Sequence, residues 1–479
     1  MKIESMRLTA VLAAMVLAGC ATPGFIAPNI DVPAAYKEST EQTLTSADAS
    51  RWKPAQPAEA QARGEWWKAF NDSELNKLVD EATTANATLA VAAARVKQAR
   101  ALAGISESDR MPTVGAQFGV QRGRSSTVAS GLPQGTTIAP ATAWQGKLTA
   151  SYEVDLFGRI ANNVSAFKAD AAANEATYRS VLLALQSDVT QTYFRLRTTD
   201  GELALLNETV RLREENVRLN LRRFELGDLG EFDLARAKTE LATARAEAIA
   251  LQRQRVQNEH ALAVLLGKAP AAFNVGVIPL VDASTLPTIP AGLPSALLER
   301  RPDIAAAQRV MIASNARIGI AKSAMFPALA ITDAGGVESA DLSDLFKWSS
   351  RSWILGALLS MPIIDGGRNK ANVARSEAVL EESVASYRQS VLIAFSEVED
   401  NLAGLRILQE QSYATDDAVT SARRSAELAD KLYRAGSTRY IDLLDAQRNL
   451  VAVQRSAVQL RGNRAITTVA LIRSLGGGW

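Results

Sequence analysis

Phe224-Glu-Leu-Gly227-Asp-Leu-Gly-Glu-Phe-Asp233-Leu-Ala-Arg-Ala237 is written again later in the chain as Tyr433-Arg-Ala-Gly436-Ser-Thr-Arg-Tyr-Ile-Asp442-Leu-Leu-Asp-Ala446, a shift of 209 residues. The same shift carries Gly158-Arg159 onto Gly367-Arg368 and Leu266-Gly267 onto Leu475-Gly476. An ungapped match of that length marks a tandem duplication. Upstream, Arg95-Val96 matches Arg309-Val310 at 214 and Pro112 matches Pro327 at 215, the differences falling in helix ends and hairpin loops. Each copy is therefore about two hundred residues long.

Within each copy the hydrophobic period changes in the same order. Residues 72–111 and 294–326 are Ala-rich and helical in pattern, each ending just before Pro112 or Pro327. The period then drops to two. Val114, Ala116, Phe118 and Val120 alternate with Gly115, Gln117, Gly119 and Gln121. After a loop rich in Gly, Ser, Thr and Pro, Trp144, Leu148, Ala150, Tyr152, Val154 and Leu156 share one face against Gln145, Lys147, Thr149, Ser151, Glu153 and Asp155. Apolar outside and polar inside is the pattern of a membrane barrel strand, although a half-buried strand of a soluble sandwich gives the same alternation. In the second copy, Leu329 to Val337 and Trp353 to Ile363 form the corresponding hairpin, with Ile354 and Leu358 on the face that should be polar.

A long helical stretch follows each hairpin, Arg159 to Phe224 and Arg368 to Tyr433. At 1.5 Å per residue such a stretch is a rod of roughly 100 Å. Leu182, Val189, Leu196, Leu203, Val210, Val217 and Phe224 recur every seven residues. Val391, Val398, Leu405, Val419, Ala426 and Tyr433 hold the same track, with Ser412 as the break. A sustained seven-residue period predicts helices supercoiling around neighbours. The chain then reverses near Gly227 or Gly436 and returns to Leu-Gly.

The chain's 479 residues carry 53 basic and 51 acidic side chains, a net charge of +2, so no global field points to nucleic acid. The N-terminus has a basic region at Lys2 and Arg7, interrupted by Glu4, then an apolar run from Leu8 to Leu17 too short to span a bilayer. Leu17-Ala18-Gly19-Cys20 follows and resembles the lipobox of bacterial lipoproteins, whose Cys is acylated (palmitate being the common chain) and becomes the first mature residue. An ordinary secretory signal with an incidental Cys is the alternative. Cys20 is the only cysteine, so no intramolecular disulfide can form. Ala21 rather than Asp follows it, which in lipoprotein sorting implies the outer membrane. No later segment offers 18 uninterrupted apolar residues, so any spanning part must be β-structure. Four strands cannot close a membrane barrel, for which about eight are needed. Several copies must share one barrel, with the helical hairpins forming a coiled-coil tube.

Leu293-Pro-Ser-Ala-Leu-Leu-Glu-Arg-Arg-Pro-Asp303-Ile-Ala-Ala-Ala-Gln-Arg309, then Asn315-Ala-Arg-Ile-Gly319 and Ala324-Met-Phe-Pro327, closely resembles the outer-membrane factors of resistance-nodulation-division efflux pumps. These are TolC-like and OprM-like proteins, here of the NodT-type lipoprotein branch. The likeness runs from Cys20 through Trp66-Trp67-Lys-Ala-Phe70 to Leu475-Gly476. It implies a mainly α fold with a β-barrel part: a homotrimer with a shared twelve-stranded outer-membrane barrel and a helical periplasmic tunnel. It also implies a passive multidrug exit duct, without cofactor or bound metal, docked on a periplasmic adaptor and energised by a proton-driven inner-membrane transporter. By position, Gly227-Asp228-Leu229 and Gly436-Ser437-Thr438 match the turns that touch the adaptor. Asp442 and Asp445 match the acidic rings of the periplasmic gate, with Asp233 the first-copy equivalent of Asp442, and Tyr433 matches a tyrosine of the closed-state network. The arginine of that network is out of register, Thr438 holding its place and Arg439 following.

The resulting division is a signal at 1–19, an anchored segment at 20–71, a first repeat at 72–267 with its β-hairpin at about 113–157, a linker at 268–293 and a second repeat at 294–479 with its hairpin at about 328–365. An enzyme finds little support. His260 is the only histidine, and neither a phosphate-binding loop nor a dinucleotide fingerprint is present. Asp442 and Asp445 at i, i+3 share a helix face, which alone is usually a solvated stripe. A lipid-anchored trimeric stalk is the structural rival, and the alternating hairpins argue against it. Protein or metal export remains open as the cargo, outer-membrane lipid being the expected environment in either case.

Overall fold

The computed structural model describes residues 25–26, 28–38, 64–131, 133, 135–280, 286–287, 289, 294 and 296–477; residues 1–19 and Cys20 lie outside them. After a short 3-10 turn, Trp66–Phe70, the elements are α1 (Ser73–Ala85), α2 (Ala87–Ser108), β1 (Thr113–Gly123), β2 (Ala141–Val154), α3 (Arg159–Glu225), α4 (Glu231–Leu265), α5 (Ala296–Arg300), α6 (Pro302–Ser323), β3 (Ala328–Ser339), β4 (Arg351–Ser360), α7 (Arg368–Arg434) and α8 (Tyr440–Ser474). The duplication is visible in the backbone. α3 and α7 each have 67 residues, α4 and α8 each 35, and both pairs start 209 residues apart.

Two stretches expected to be single helices are each broken. Residues 72–111 divide at Asn86, whose backbone is extended where α1 ends. Its side-chain oxygen accepts from Leu89 N at 2.9 Å, and its Nδ2 donates to the Leu265 carbonyl at 2.9 Å. An Asn that caps a new helix while binding a distant carbonyl outweighs the Ala-rich helical pattern. Residues 294–326 divide at Arg301, because Pro302 cannot continue α5 but is well placed to start α6.

The chain divides into two compact units, each drawn from both copies. The first, residues 96–174 and 307–387 with the N-terminal segment to Asn29, holds one antiparallel sheet in the order β1-β2-β3-β4. The two hairpins thus join through β2 and β3, leaving β1 and β4 as open edges. The register puts Val114, Phe118, Val120, Trp144, Leu148, Tyr152, Ile331, Trp353, Leu355 and Leu359 on one face. Gln117, Gln121, Gln145, Lys147, Thr149, Glu153 and Glu338 lie on the other. Ile354 and Leu358 fall on this polar face, as the sequence indicated. Asp333 is the one carboxylate on the apolar face.

β3 and β4 differ from expectation at their ends. β4 stops at Ser360 rather than Ile363, because Pro362 has no N–H to pair and drives Met361 out of register. On the polar face β2 and β3 approach so closely that a Cβ on Gly336 would lie 2.2 Å from the Gly146 carbonyl oxygen, which excludes any side chain there. Beside it Lys147 pairs with Glu338 at 3.3 Å.

The second unit, residues 30–95, 175–306 and 388–479, contains the principal core. Trp66, Trp67 and Phe70 pack with Leu75, Leu78 and Val79 of α1, Val189 and Leu196 of α3, Leu262 of α4, and Val469 and Ile472 of α8. Asp72 caps α1 through Glu74 N and Leu75 N, and its other oxygen accepts from the Tyr193 hydroxyl at 2.5 Å. Burial, and then that hydrogen bond, push the Tyr193 hydroxyl well above its ordinary pKa. The connector between the copies is held by fully buried Asp200, which accepts from Arg197, Arg255 and Ile278 N, while the two arginines donate to the carbonyls of Gly276 and Val275. Arg301 of the Arg-Arg-Pro-Asp run is buried and forks onto Asp303, reaches Glu397 of α7 at 2.5 Å and donates to the Ser474 carbonyl that ends α8. The N-terminal segment lies on α7, where the Glu399 carboxylate accepts from Lys37 N and Glu38 N and Arg406 pairs with Glu38.

Candidate gate at the two helical turns

Both helix reversals use one local device. Gly227 and Gly436 adopt φ of +75° and +73°, the left-handed region that glycine enters without steric cost. Gly227 N and Asp228 N donate to the carbonyls of Phe224 and Arg223, and Gly436 N and Ser437 N to those of Tyr433 and Leu432. This is the Schellman closure of a helix C-terminus, built twice by the duplicated sequence. In the first turn Asp228 also accepts from Arg223 Nε at 2.8 Å. Leu229 and Thr438 sit in the two turns as expected.

Asp442 is the third residue of α8, and its carboxylate accepts from Thr438 Oγ1 at 2.9 Å, from Arg439 N at 3.2 Å and from the Arg439 side chain. The Thr438 hydroxyl, then Arg439, hold its carboxyl below the ordinary value. Asp445 stands one turn on, exposed, with Arg448 at 3.8 Å. The pair therefore shares the exposed face of α8, opposite fully buried Leu443 and Leu444. Asp233 is half-buried at the matching position of α4, where Gly230 precedes the helix in place of Arg439. Arg439 itself is exposed and engages only Asp442 among the described residues.

Tyr433 is buried, stacks at a tilt on Tyr440 and donates to Asn220 Oδ1 of α3 at 2.5 Å. The Arg223 guanidinium lies 5.1 Å over its ring. Burial raises the Tyr433 pKa and pushes Tyr440 to about 12, so both stay neutral at physiological pH. Asn220 and Arg223 are the partners that the sequence reading missed. Asn220, like Arg213 above it, occupies the second apolar position of the heptad, three residues after Val217 and Val210 respectively. Polar residues there were the available signal. Arg213 is buried, with its pKa lowered by that burial, and donates to Gln447 of α8 at 2.6 Å. It lines a cleft of about 270 Å³ with Glu240, Glu247, Arg448 and Arg455.

Comparison with known proteins decides what such a scaffold is for. The family profile described as Outer membrane efflux protein matches the chain twice, over residues 78–268 and 293–477. The chain is an outer membrane efflux protein. The antibiotic efflux pump outer membrane protein ArpC of Pseudomonas putida is 31% identical over 98% of this chain and 95% of its own length. The cation efflux system protein CusC of Escherichia coli K12 is 31% identical over 97% and 98%. The outer membrane protein OprJ of Pseudomonas aeruginosa is 35% identical over 86% of each. Among solved structures, a membrane protein from Pseudomonas aeruginosa superposes with a TM-score of 0.84 at 32% identity, covering 95% and 99% of the two chains. The Campylobacter jejuni CmeC outer membrane channel gives 0.84 at 26% identity, covering 96% and 95%.

The efflux protein is thus a channel component of the outer membrane that extends into the periplasm, and a transporter rather than an enzyme. No described helix is long and apolar enough to cross a membrane, and the apolar face of the sheet is exposed in the single chain. His260 is exposed on α4, and the described residues contain no cluster of metal-ligating side chains.

Proposed function

We propose that the efflux protein is the passive, gated exit duct of a tripartite pump for drugs or other small toxic molecules, assembled as a homotrimer and anchored through acylated Cys20. The observation that carries this reading is a four-stranded sheet, open at both edges and apolar on one face, in a chain that also builds two glycine turns of the same backbone form, the second followed by exposed Asp442 and Asp445. Open edges in lipid require partner strands, and four strands fall short of a closed barrel. Three copies supply twelve. The turns at Gly227-Asp228-Leu229 and Gly436-Ser437-Thr438 would then meet the periplasmic adaptor, and a resistance-nodulation-division transporter in the inner membrane would spend the proton gradient.

Closure would rest on the Tyr433, Asn220 and Arg223 contacts near the turns, with Asp442 and Asp445 facing the axis. The first heptad track supports a loosening toward this end, since Val189 and Leu196 are fully buried whereas Phe224 is 40% exposed. Elements with few buried apolar contacts open first. Native mass spectrometry in detergent with planar-bilayer recording tests the proposal. Trimers that conduct without nucleotide are expected, and a dominant monomer or a non-conducting trimer would refute it. Mass spectrometry of the mature N-terminus tests the anchor, which fails if Cys20 is unmodified.

A further inference from the structure

We propose that Arg122 and Arg351, at the outward rim of the sheet's apolar face, bind the phosphate groups of a phosphorylated glycolipid of the lipid A type in the outer leaflet. The inference rests on reading that face as the lipid-contacting wall of a barrel, with the hairpin turns outside the cell.

The register places both arginines on the apolar face toward the hairpin turns, Arg122 beyond the level of Trp144 and Arg351 at the level of Val337 and Gly146. Arg122 follows Val120 on β1, and Arg351 precedes Trp353 on β4, opposite Val337. Trp144 and Tyr152 bracket the apolar stretch of β2, about 27 Å along the strand or roughly 20 Å along the membrane normal at a barrel tilt. That spacing comes close to the apolar band of about 25 Å in outer-membrane barrels, with Trp144 at headgroup level. Arg122, one step beyond Trp144 on that face, meets the headgroup layer, and Arg351, lower in register, extends its long side chain to Trp348 of the β3–β4 turn.

Both guanidiniums are positioned and neither is neutralised. Arg351 stacks on Trp348 at 3.7 Å, and Arg122 reaches only the neutral Thr142 hydroxyl at 3.4 Å. Among the described residues no carboxylate pairs with either, whereas Lys147 of β2 pairs with Glu338 and Lys347 of the β3–β4 turn with Asp344. Asp341, the remaining acid of the β3–β4 turn, engages neither. At the opposite end the strands present Val114, Val154, Leu329 and Leu359 on this face, without a cation. The asymmetry selects one leaflet. A planar guanidinium receives phosphate oxygens in bidentate fashion, and cation and ring together suit a phosphate set on an acyl boundary. Closure of the barrel would pair β1 of one copy with β4 of the next, bringing Arg122 and the neighbour's equivalent of Arg351 to the same end and the same face.

The test is native mass spectrometry of the purified full-length trimer titrated with bis-phosphorylated lipid A, dephosphorylated lipid A or phosphatidylglycerol. Wild type should retain bis-phosphorylated lipid A most tightly, and the R122Q/R351Q double variant should bind it roughly thirtyfold more weakly. Equal retention of the dephosphorylated form, equal retention of phosphatidylglycerol, or unchanged binding by the variant would overturn the proposal. If the variant does not assemble, the three lipids on the wild-type trimer decide alone. A chain lacking a heat-modifiable trimer would instead contradict the barrel reading beneath it.

Discussion

Tyr433 of α7 donates its hydroxyl proton to Asn220 of α3 across 2.5 Å, with both side chains almost wholly buried. The bond joins the long helix of the second copy to that of the first, next to the turns where both reverse. It is flanked by Arg223, which covers the Tyr433 ring and ties back to Asp228 in the first turn. One hydroxyl thus couples both hairpins to a segment proposed to face the adaptor.

Tyr433→Phe removes that donor and leaves the buried Asn220 oxygen unpaired, a cost of about 1–3 kcal/mol against the paired state. The ring and its packing on Tyr440 remain, so the trimer should still assemble. The expected result is higher single-channel conductance or more frequent opening in planar bilayers. Unchanged conductance with normal assembly would show that this contact does not hold the gate.

Arg301 should matter for stability rather than conduction. Its fork serves Asp303, Glu397 and the last carbonyl of α8 at once, a geometry that lysine cannot reproduce. Arg301→Lys should destabilise the trimer by about 2 kcal/mol, read as a lower temperature of heat-modifiable migration. Burial alone would raise the Asp303 carboxyl, but Arg301 holds it below its ordinary value. A depressed pKa contributes stability above the unfolded value of 3.8 and loses it as pH falls through the folded one. Acid sensitivity below 3.8 should therefore shrink in the variant.

Much of this architecture was legible because the chain states it twice. The shift of 209 residues places both turns, and period-two runs place β1 and β2 within a few residues of their observed ends. The breaks at Asn86 and Arg301 were hidden, since each depends on a partner distant in sequence, Leu265 for one and Glu397 for the other. At the proposed gate the sequence indicated Tyr433 but not Asn220. The first heptad track of α3 is apolar from Leu182 to Phe224, and the polar residues Arg213 and Asn220 lie on the second. The sequence points to Asp442 as a pore-lining charge, whereas its local bonds to Thr438 and Arg439 depend on the geometry of the turn.

Asp333 offers a gain in stability. It stands on the apolar face of β3 between Ala150 and Leu355, exposed and near mid-strand. A carboxylate on the lipid face of a barrel is unfavourable by about 1–2 kcal/mol, less than a cation at the same depth. Asp333→Leu should raise the thermal stability of the trimer without altering conductance. A fall in stability would mean that this face does not meet lipid.

The acidic pair supplies the sharpest test of the gate. Asp442→Asn with Asp445→Asn removes two charges from each chain at the exposed start of α8, while asparagine at 442 can still accept from Arg439 N. The fold should therefore survive, since solvated carboxylates contribute little to it. If the pair lines the constriction, cation selectivity and block by a trivalent cation should fall together in planar-bilayer recordings. The Asp442 carboxyl lies below 3.8, held there by Thr438 and Arg439, so its charge persists as pH drops from 7 to 5. Block in the wild type should accordingly survive at pH 5. A double variant with unchanged selectivity and unchanged block would return both aspartates to a solvated helix face and move the constriction elsewhere along α8.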